Sequence, residues 1–143
     1  MSDPQQTAER AAAAMWADDR ASQSLGMTLE EVGPGFARLS MTVRAEMTNG
    51  HGICHGGFVF ALADSAFAFA CNSQGEATVA AGAAIDFVAP AQAGERLTAT
   101  AQARHQGRRT GVYDIEVTRG EGEVVAYFRG RSHRLSKPRS QST

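Results

Sequence analysis

The apolar positions along this chain change period twice, and the predicted elements follow from those changes. Over residues 36–43 the apolar Ala37, Leu39, Met41 and Val43 alternate with Arg38, Ser40 and Thr42. That is the period-two signature of a strand with one buried face. Over residues 58–71 the alternation gives way to a run dominated by Phe, Ala, Val and Leu, with no interior Gly or Pro. A helix that is apolar all round is normally wrapped by other structure, so a buried central helix is predicted over about residues 57–72. Extended stretches follow near residues 79–88, 97–104, 112–118 and 124–133, separated by Pro90, Gly94, Gly107 and the turn Gly120-Glu121-Gly122. The last three predict an antiparallel meander. At the other end, residues 4–25 are rich in Ala, Gln, Glu and Arg, and Gly26 follows as a stop signal. One N-terminal helix is expected there.

A strand, a long buried helix and then several strands make an α+β order rather than a βαβ alternation. An antiparallel sheet wrapped around one long central helix is the hot-dog architecture, and it is the fold expected for residues 1–135 as a single domain. The Ser/Lys/Arg/Pro stretch at 136–143 carries too little apolar surface to order itself and reads as a flexible tail.

Composition narrows the function. With 143 residues, 43% of them hydrophobic, the chain can bury the core of one domain. A formal net charge of −1 supplies no basic field, which argues against nucleic acid as a partner. Cys54 and Cys71 lie in or beside the glycine loop and the apolar run, unlike a secreted disulfide framework, and read as reduced thiols. No secretory signal opens the chain and the longest apolar run is too short for a bilayer, so no membrane association and a cytoplasmic location are expected.

The candidate chemistry sits where the glycine loop meets the central helix, over residues 49–73. The apolar run holds one acid, Asp64. An unpaired carboxylate in a fully buried helix costs several kcal/mol, so Asp64 must meet a basic partner, water or a cleft. In a cleft it serves as general base or nucleophile at a carbonyl. Gly56 and Gly57 fall at the predicted helix start, where free N–H groups and the helix dipole polarise a carbonyl oxygen; a tight turn is the other use of such glycines. Asp64 is eight residues beyond Gly56, about 12 Å along a helix, so one chain's pair is too far apart for one carbonyl. A symmetric dimer resolves this by setting one chain's glycine against the other's Asp64.

Asn49 and His55 flank the loop, either acting on the substrate or fixing the loop's own amides. His51, Cys54 and His55 offer at most three ligands without a matching pair downstream, so no metal is expected, and no cofactor. Cys54 and His55 are adjacent, and neighbouring side chains generally point apart, which disfavours a cysteine nucleophile. The hairpin around residues 104–111 concentrates Arg104, Arg108 and Arg109, either to hold the phosphates of a coenzyme A thioester or as a solvated turn. Asp86, Asp114 and Glu116 fall in strand patterns, facing solvent or pairing across the sheet, and receive no catalytic role.

The strings N-G-H-G-I-C-H-G-G and L-A-D-S-A-F-A-F-A-C-N-S-Q-G, continued by I-D-F-V-A-P and R-H-Q-G-R-R-T-G-V-Y-D-I-E-V, closely resemble the PaaI-type hot-dog thioesterases of bacterial phenylacetate degradation. The resemblance implies an acyl-CoA thioesterase acting on phenylacetyl-CoA and its ring-hydroxylated forms. It also implies Asp64 as the acid, the Gly56 N–H as oxyanion donor, Asn49 and His55 as loop residues, and a homodimer paired into a homotetramer. Phe58 and Phe60 are bulkier than the residues often found after H-G-G in that family, which bears on the shape of the acyl pocket. Two other classes remain in play: a hydratase or dehydratase using His55 with Asp64, and a non-catalytic acyl-CoA binding protein.

Overall fold

The computed structural model describes residues 3–135; the predicted tail at 136–143 lies outside them. Helix α1 (Pro4–Asp18) starts at the N-cap Asp3, whose carboxylate accepts from the Gln5 N–H at 3.1 Å, with Pro4 in the first turn. The single N-terminal helix expected to residue 25 is in fact two. Asp19 leaves helical geometry and caps α2 (Arg20–Ser24), its carboxylate accepting from Ser22 N at 3.0 Å and Ser22 Oγ at 2.7 Å. An aspartate that bonds local amides competes with continuation of the helix.

Strands β1 (Thr28–Gly33) and β2 (Phe36–Thr42) form a hairpin, where the sequence pattern had shown only the second strand. Its turn relies on Gly35, with φ at 66°, where a Cβ would lie 2.8 Å from that of Ala103. After a short 3-10 turn at Ala45–Met47 come α3 (Gly56–Cys71), β3 (Thr78–Phe87), β4 (Arg96–Gln106), β5 (Thr110–Arg119) and β6 (Glu123–Arg134). The strands make one antiparallel sheet in the order β1-β2-β4-β5-β6-β3. The predicted meander is β4-β5-β6, and β3 crosses to the far edge beside β6.

Helix α3 packs chiefly on β2, β4 and β5. Leu62 and Phe67 of α3 are buried with Leu39, Met41, Leu97, Ile115 and Val117 of the strands. The Phe67 ring lies 5.6 Å from Tyr113 and 5.9 Å from Phe128, and fits because β6 carries Gly130, where a Cβ would meet that ring at 2.7 Å. Only part of α3 is wrapped, contrary to the all-round burial expected. Phe60, Ala61, Asp64, Ser65 and Ala68 recur at helical spacing as a half-buried stripe, continued by exposed Gly57. The edge strand β3 is also open: Val79 and Phe87 are exposed and Asp86 is its one charged residue. Among the described residues, no helix is long and apolar enough to cross a membrane.

Candidate active site

The polar loop before α3 is organised by its own asparagine. Asn49 Oδ1 accepts from the amides of His51 at 2.9 Å and Ile53 at 3.2 Å, while its backbone N–H donates to Ile53 O at 2.8 Å. Gly52, with φ at 76°, makes the tight return possible. Asn49 Oδ1 is therefore engaged in fixing the loop.

Two further amides seat the end of the loop on the body of the protein. Cys54 N donates to Ala91 O and His55 N to Met47 O, each at 2.7 Å. His55 is the N-cap of α3, and its Nδ1 accepts from Gly57 N at 3.3 Å. Gly57 is thus capped, and the Gly56 N–H is the amide left open: among the described residues nothing accepts from it. A side chain at position 56 would strike Phe87, since a Cβ there lies 2.9 Å from the ring. An open apolar cavity of about 520 Å³ adjoins this amide, lined by Ile53, Val59, Phe87, Val88, Pro90 and Val125 among others. That volume is in the range of small-molecule sites.

Asp64 lies two turns further along α3, on the half-buried stripe. Among the described residues no cation pairs with it and no donor is bonded to it, so the helix acid is not neutralised by a basic group. Burial pushes its carboxyl above the usual aspartate value. An unpaired, partly desolvated carboxylate is a stronger base than a solvated one, which is the property a proton acceptor needs.

The cysteines are poor nucleophiles. Burial, opposed by a backbone hydrogen bond and helped slightly by the nearby Asp64 charge, raises the Cys71 thiol to about 12, and burial also raises Cys54. Among the described residues no three His, Cys, Asp or Glu side chains converge as a metal site.

The three arginines separate. Arg104, on β4, donates to Asp114 at 2.9 Å, and Arg129 grips the same carboxylate at 2.6 and 2.7 Å. The Arg129 hydrogen bonds, helped by that from Arg104 and by both positive charges, hold Asp114 down to about 2 against the opposing effect of desolvation. Arg108 and Arg109 are exposed on the β4–β5 turn. Arg109 borders a small polar recess with Gln74 and Cys71, at the C-terminal end of α3. Within one chain Arg109 therefore lies at the opposite end of the helix from Gly56. The site residues that sequence reasoning overlooked are the cavity walls Phe87, Val88 and Pro90. They are apolar residues in a strand-and-loop pattern with no chemical signal, and only the exposure of Phe87 beside Gly56 draws them in.

Known proteins agree with this architecture. The pattern of the thioesterase superfamily matches residues 51–126, from the glycine loop through α3 into β6. The chain is 55% identical over 122 residues to acyl-coenzyme A thioesterase PaaI of Escherichia coli strain K12, covering 85% of this chain and 87% of that one. The structure of the E. coli PaaI protein from the phenylacetic acid degradation operon superposes with a TM-score of 0.92 at 51% identity, covering 94% of this chain and 97% of that one. Human acyl-coenzyme A thioesterase 13 is more distant, 31% identical over 110 residues, 75% of this chain and 79% of that one. The chain belongs to the thioesterase superfamily, as a hot-dog enzyme of the PaaI type.

Proposed function

We propose that the protein hydrolyses acyl-CoA thioesters of the phenylacetyl type, including ring-hydroxylated forms, in phenylacetate catabolism. The observation that carries the chemistry is Asp64: a half-buried carboxylate with no cation among the described residues, its affinity for protons raised, on a helix whose first amide is open. The similarity to a PaaI protein of a phenylacetic acid degradation operon supports the substrate class.

In the proposed reaction the Gly56 N–H receives the developing charge on the thioester carbonyl oxygen. Asp64 takes a proton from water as the water oxygen adds to the carbonyl carbon, or adds to that carbon itself. Collapse breaks the C–S bond and releases the CoA thiolate, which leaves without a strong acid because a thiol's pKa is about 8.5; where Asp64 itself has added, water then cleaves the acyl–Asp64 anhydride to the free acid and restores the carboxylate. The cavity beside Gly56 takes the apolar part of the substrate. His55 holds the helix start and Asn49 the loop.

The site is completed by a second copy of the chain. Gly56 and Asp64 are about 12 Å apart along one helix, too far to act on one carbonyl. The half-buried stripe of α3 and the open edge of β3 are the surfaces a partner would cover, and they carry Asp64 and Phe87. Such dimers pair into a tetramer. Arg108 and Arg109 are the exposed cations offered to the CoA phosphates, whereas Arg104 is already held by Asp114. The hydratase alternative loses ground, because His55 Nδ1 is engaged by the Gly57 amide at the start of α3.

The test is thiol release from phenylacetyl-CoA, its ring-hydroxylated forms and short aliphatic acyl-CoAs, with wild type and Asp64→Asn side by side. Aromatic turnover abolished by the substitution is the expected result. Turnover independent of Asp64, or hydration of an enoyl-CoA in its place, overturns the proposal.

A further inference from the structure

Arg119, the last residue of β5, has a side chain only 20% exposed, and its guanidinium joins segments far apart in sequence. Its Nε donates to Glu123 Oε1 at 3.0 Å across the β5–β6 turn. Its Nη1 donates to the backbone carbonyl of Pro90 and lies 3.6 Å from Glu95 Oε1. That same Glu95 oxygen accepts from Gln92 N at 2.6 Å. One arginine therefore grips both ends of the loop over residues 90–95.

The loop in turn holds the approach to α3. Ala91 O accepts from Cys54 N at 2.7 Å, and Ile53 forms an isolated bridge with Gln92. Cys54 is two residues before Gly56, and Pro90 and Ala91 also wall the cavity beside that amide. With the His55–Met47 bond, this connection ties the segment before α3 to the body of the protein, and the loop itself is also bonded to Val43 through Gly94 N and Glu95 O. Arg119 approaches neither the Gly56 amide nor Asp64 in any bond of the structure, so its effect on them passes through the loop.

We infer that Arg119 is a positioning residue: by pinning the loop over residues 90–95 it sets the Gly56 amide and the adjoining cavity wall for the reaction. The inference rests on the proposed thioesterase mechanism. An oxyanion donor acts only within a narrow distance of the oxygen it stabilises, so a loop released by a fraction of an ångström lowers kcat more than it alters ground-state binding. Glutamine, neutral and two atoms shorter, cannot reach the Pro90 and Glu95 contacts that Arg119 Nη1 makes. A lysine keeps the charge, with its donors on a single nitrogen, but not the fork that serves Glu123 and Pro90 at once.

The experiment compares wild type, Arg119→Gln, Arg119→Lys and Asp64→Asn in the full chain. Three readings are taken: kcat and KM for phenylacetyl-CoA, the affinity for the non-hydrolysable thioether analogue of that substrate, and amide hydrogen exchange at Cys54. Arg119→Gln is expected to lower kcat by about tenfold, as misplacement of reacting groups does, with KM and thioether affinity held within about twofold. Exchange at Cys54 accelerates in that variant, and Arg119→Lys recovers part of both effects. Unchanged kcat in Arg119→Gln, or unchanged exchange at Cys54, overturns the inference. So does an equal loss of kcat and thioether affinity, which marks general damage to the fold. Glu123→Gln, which spares the Pro90 contact, serves as a second variant and is expected to keep most of kcat; a loss as large as that of Arg119→Gln also overturns it. A wild type without thioesterase activity, or an Asp64→Asn variant as active as wild type, overturns the proposed function instead, and the exchange at Cys54 then still decides whether Arg119 holds the loop.

Discussion

Asp64 and Asp114 are the same residue type in opposite circumstances. Asp114 stands on the outer side of the β4-β5-β6 meander between two arginines, which draw its carboxyl down to about 2. Asp64 stands on the open stripe of α3 with no cation among the described residues, and burial moves its carboxyl the other way. The difference separates a carboxylate that serves the sheet from one left available for chemistry. A charge that the fold neutralises is stable and inert, whereas one left partly desolvated and unpaired costs stability and gains basicity.

The largest effect that sharpens this contrast is Asp64→Asn. Thioester hydrolysis is expected to fall by about 10²–10⁴-fold, the range for loss of a general base, while thermal unfolding shows an unchanged or raised Tm. If Asp64 instead belonged with Asp114 as a structural acid, Tm would drop and turnover would survive.

Mixing tests the shared site. Asp64→Asn and Gly56→Ala chains, each inactive or impaired alone, are co-refolded; in hybrid dimers one of the two sites then has both native groups. Random pairing restores up to about a quarter of wild-type activity if the site is built across a two-fold interface. No recovery above the sum of the parents removes the dimeric site. Gly56→Ala by itself is expected to lower kcat by about tenfold, as its Cβ drives the Phe87 ring away from the open amide.

The pH dependence separates the two acids by sign. The ionised form of Asp64 is the reactive one, so the acid limb of kcat/KM is expected above the ordinary aspartate value of about 4. Its folded-state pKa lies above the unfolded one, so Asp64 subtracts stability at neutral pH, and that loss is relieved as pH falls through the raised value. Asp114 works in reverse. Its depressed value gives stability that is present above about pH 4 and lost as pH falls toward about 2. Acid unfolding monitored with and without Asp114→Asn checks that window. The smallest effect is the stability change of Asp114→Asn at neutral pH, expected to be under about 1 kcal/mol because both arginines are largely exposed, with turnover unaffected.

Much of this molecule was legible before any coordinates. The alternation over β2 and the later strands, and its loss over α3, carried the strand-helix-strand order, because the backbone period of each element writes itself into the spacing of apolar residues. β1 was not legible: Leu29 and Val32 are separated by Glu30 and Glu31, so no period-two pattern marks a strand lying at an edge. The break at Asp19 is not legible for a related reason, since the cap is a pair of short-range hydrogen bonds to Ser22 set against a strongly helical composition. At the site, Asp64 and the glycines were visible as chemistry out of place in an apolar run. That Asn49 spends its oxygen on the loop and His55 its Nδ1 on Gly57 was left open by their spacing, and both are decided by which amides come within reach.

By itself, then, the sequence determined the hot-dog order of elements and the position of the one acid in the central helix, because periodicity and residue type are local properties. Only the tertiary structure decided which carboxylate is neutralised, which arginine is already engaged and which amide is open. Charge pairing, burial and hydrogen-bond satisfaction depend on residues such as Asp114 and Arg129, fifteen positions apart in the chain, meeting at 2.6 Å across paired strands.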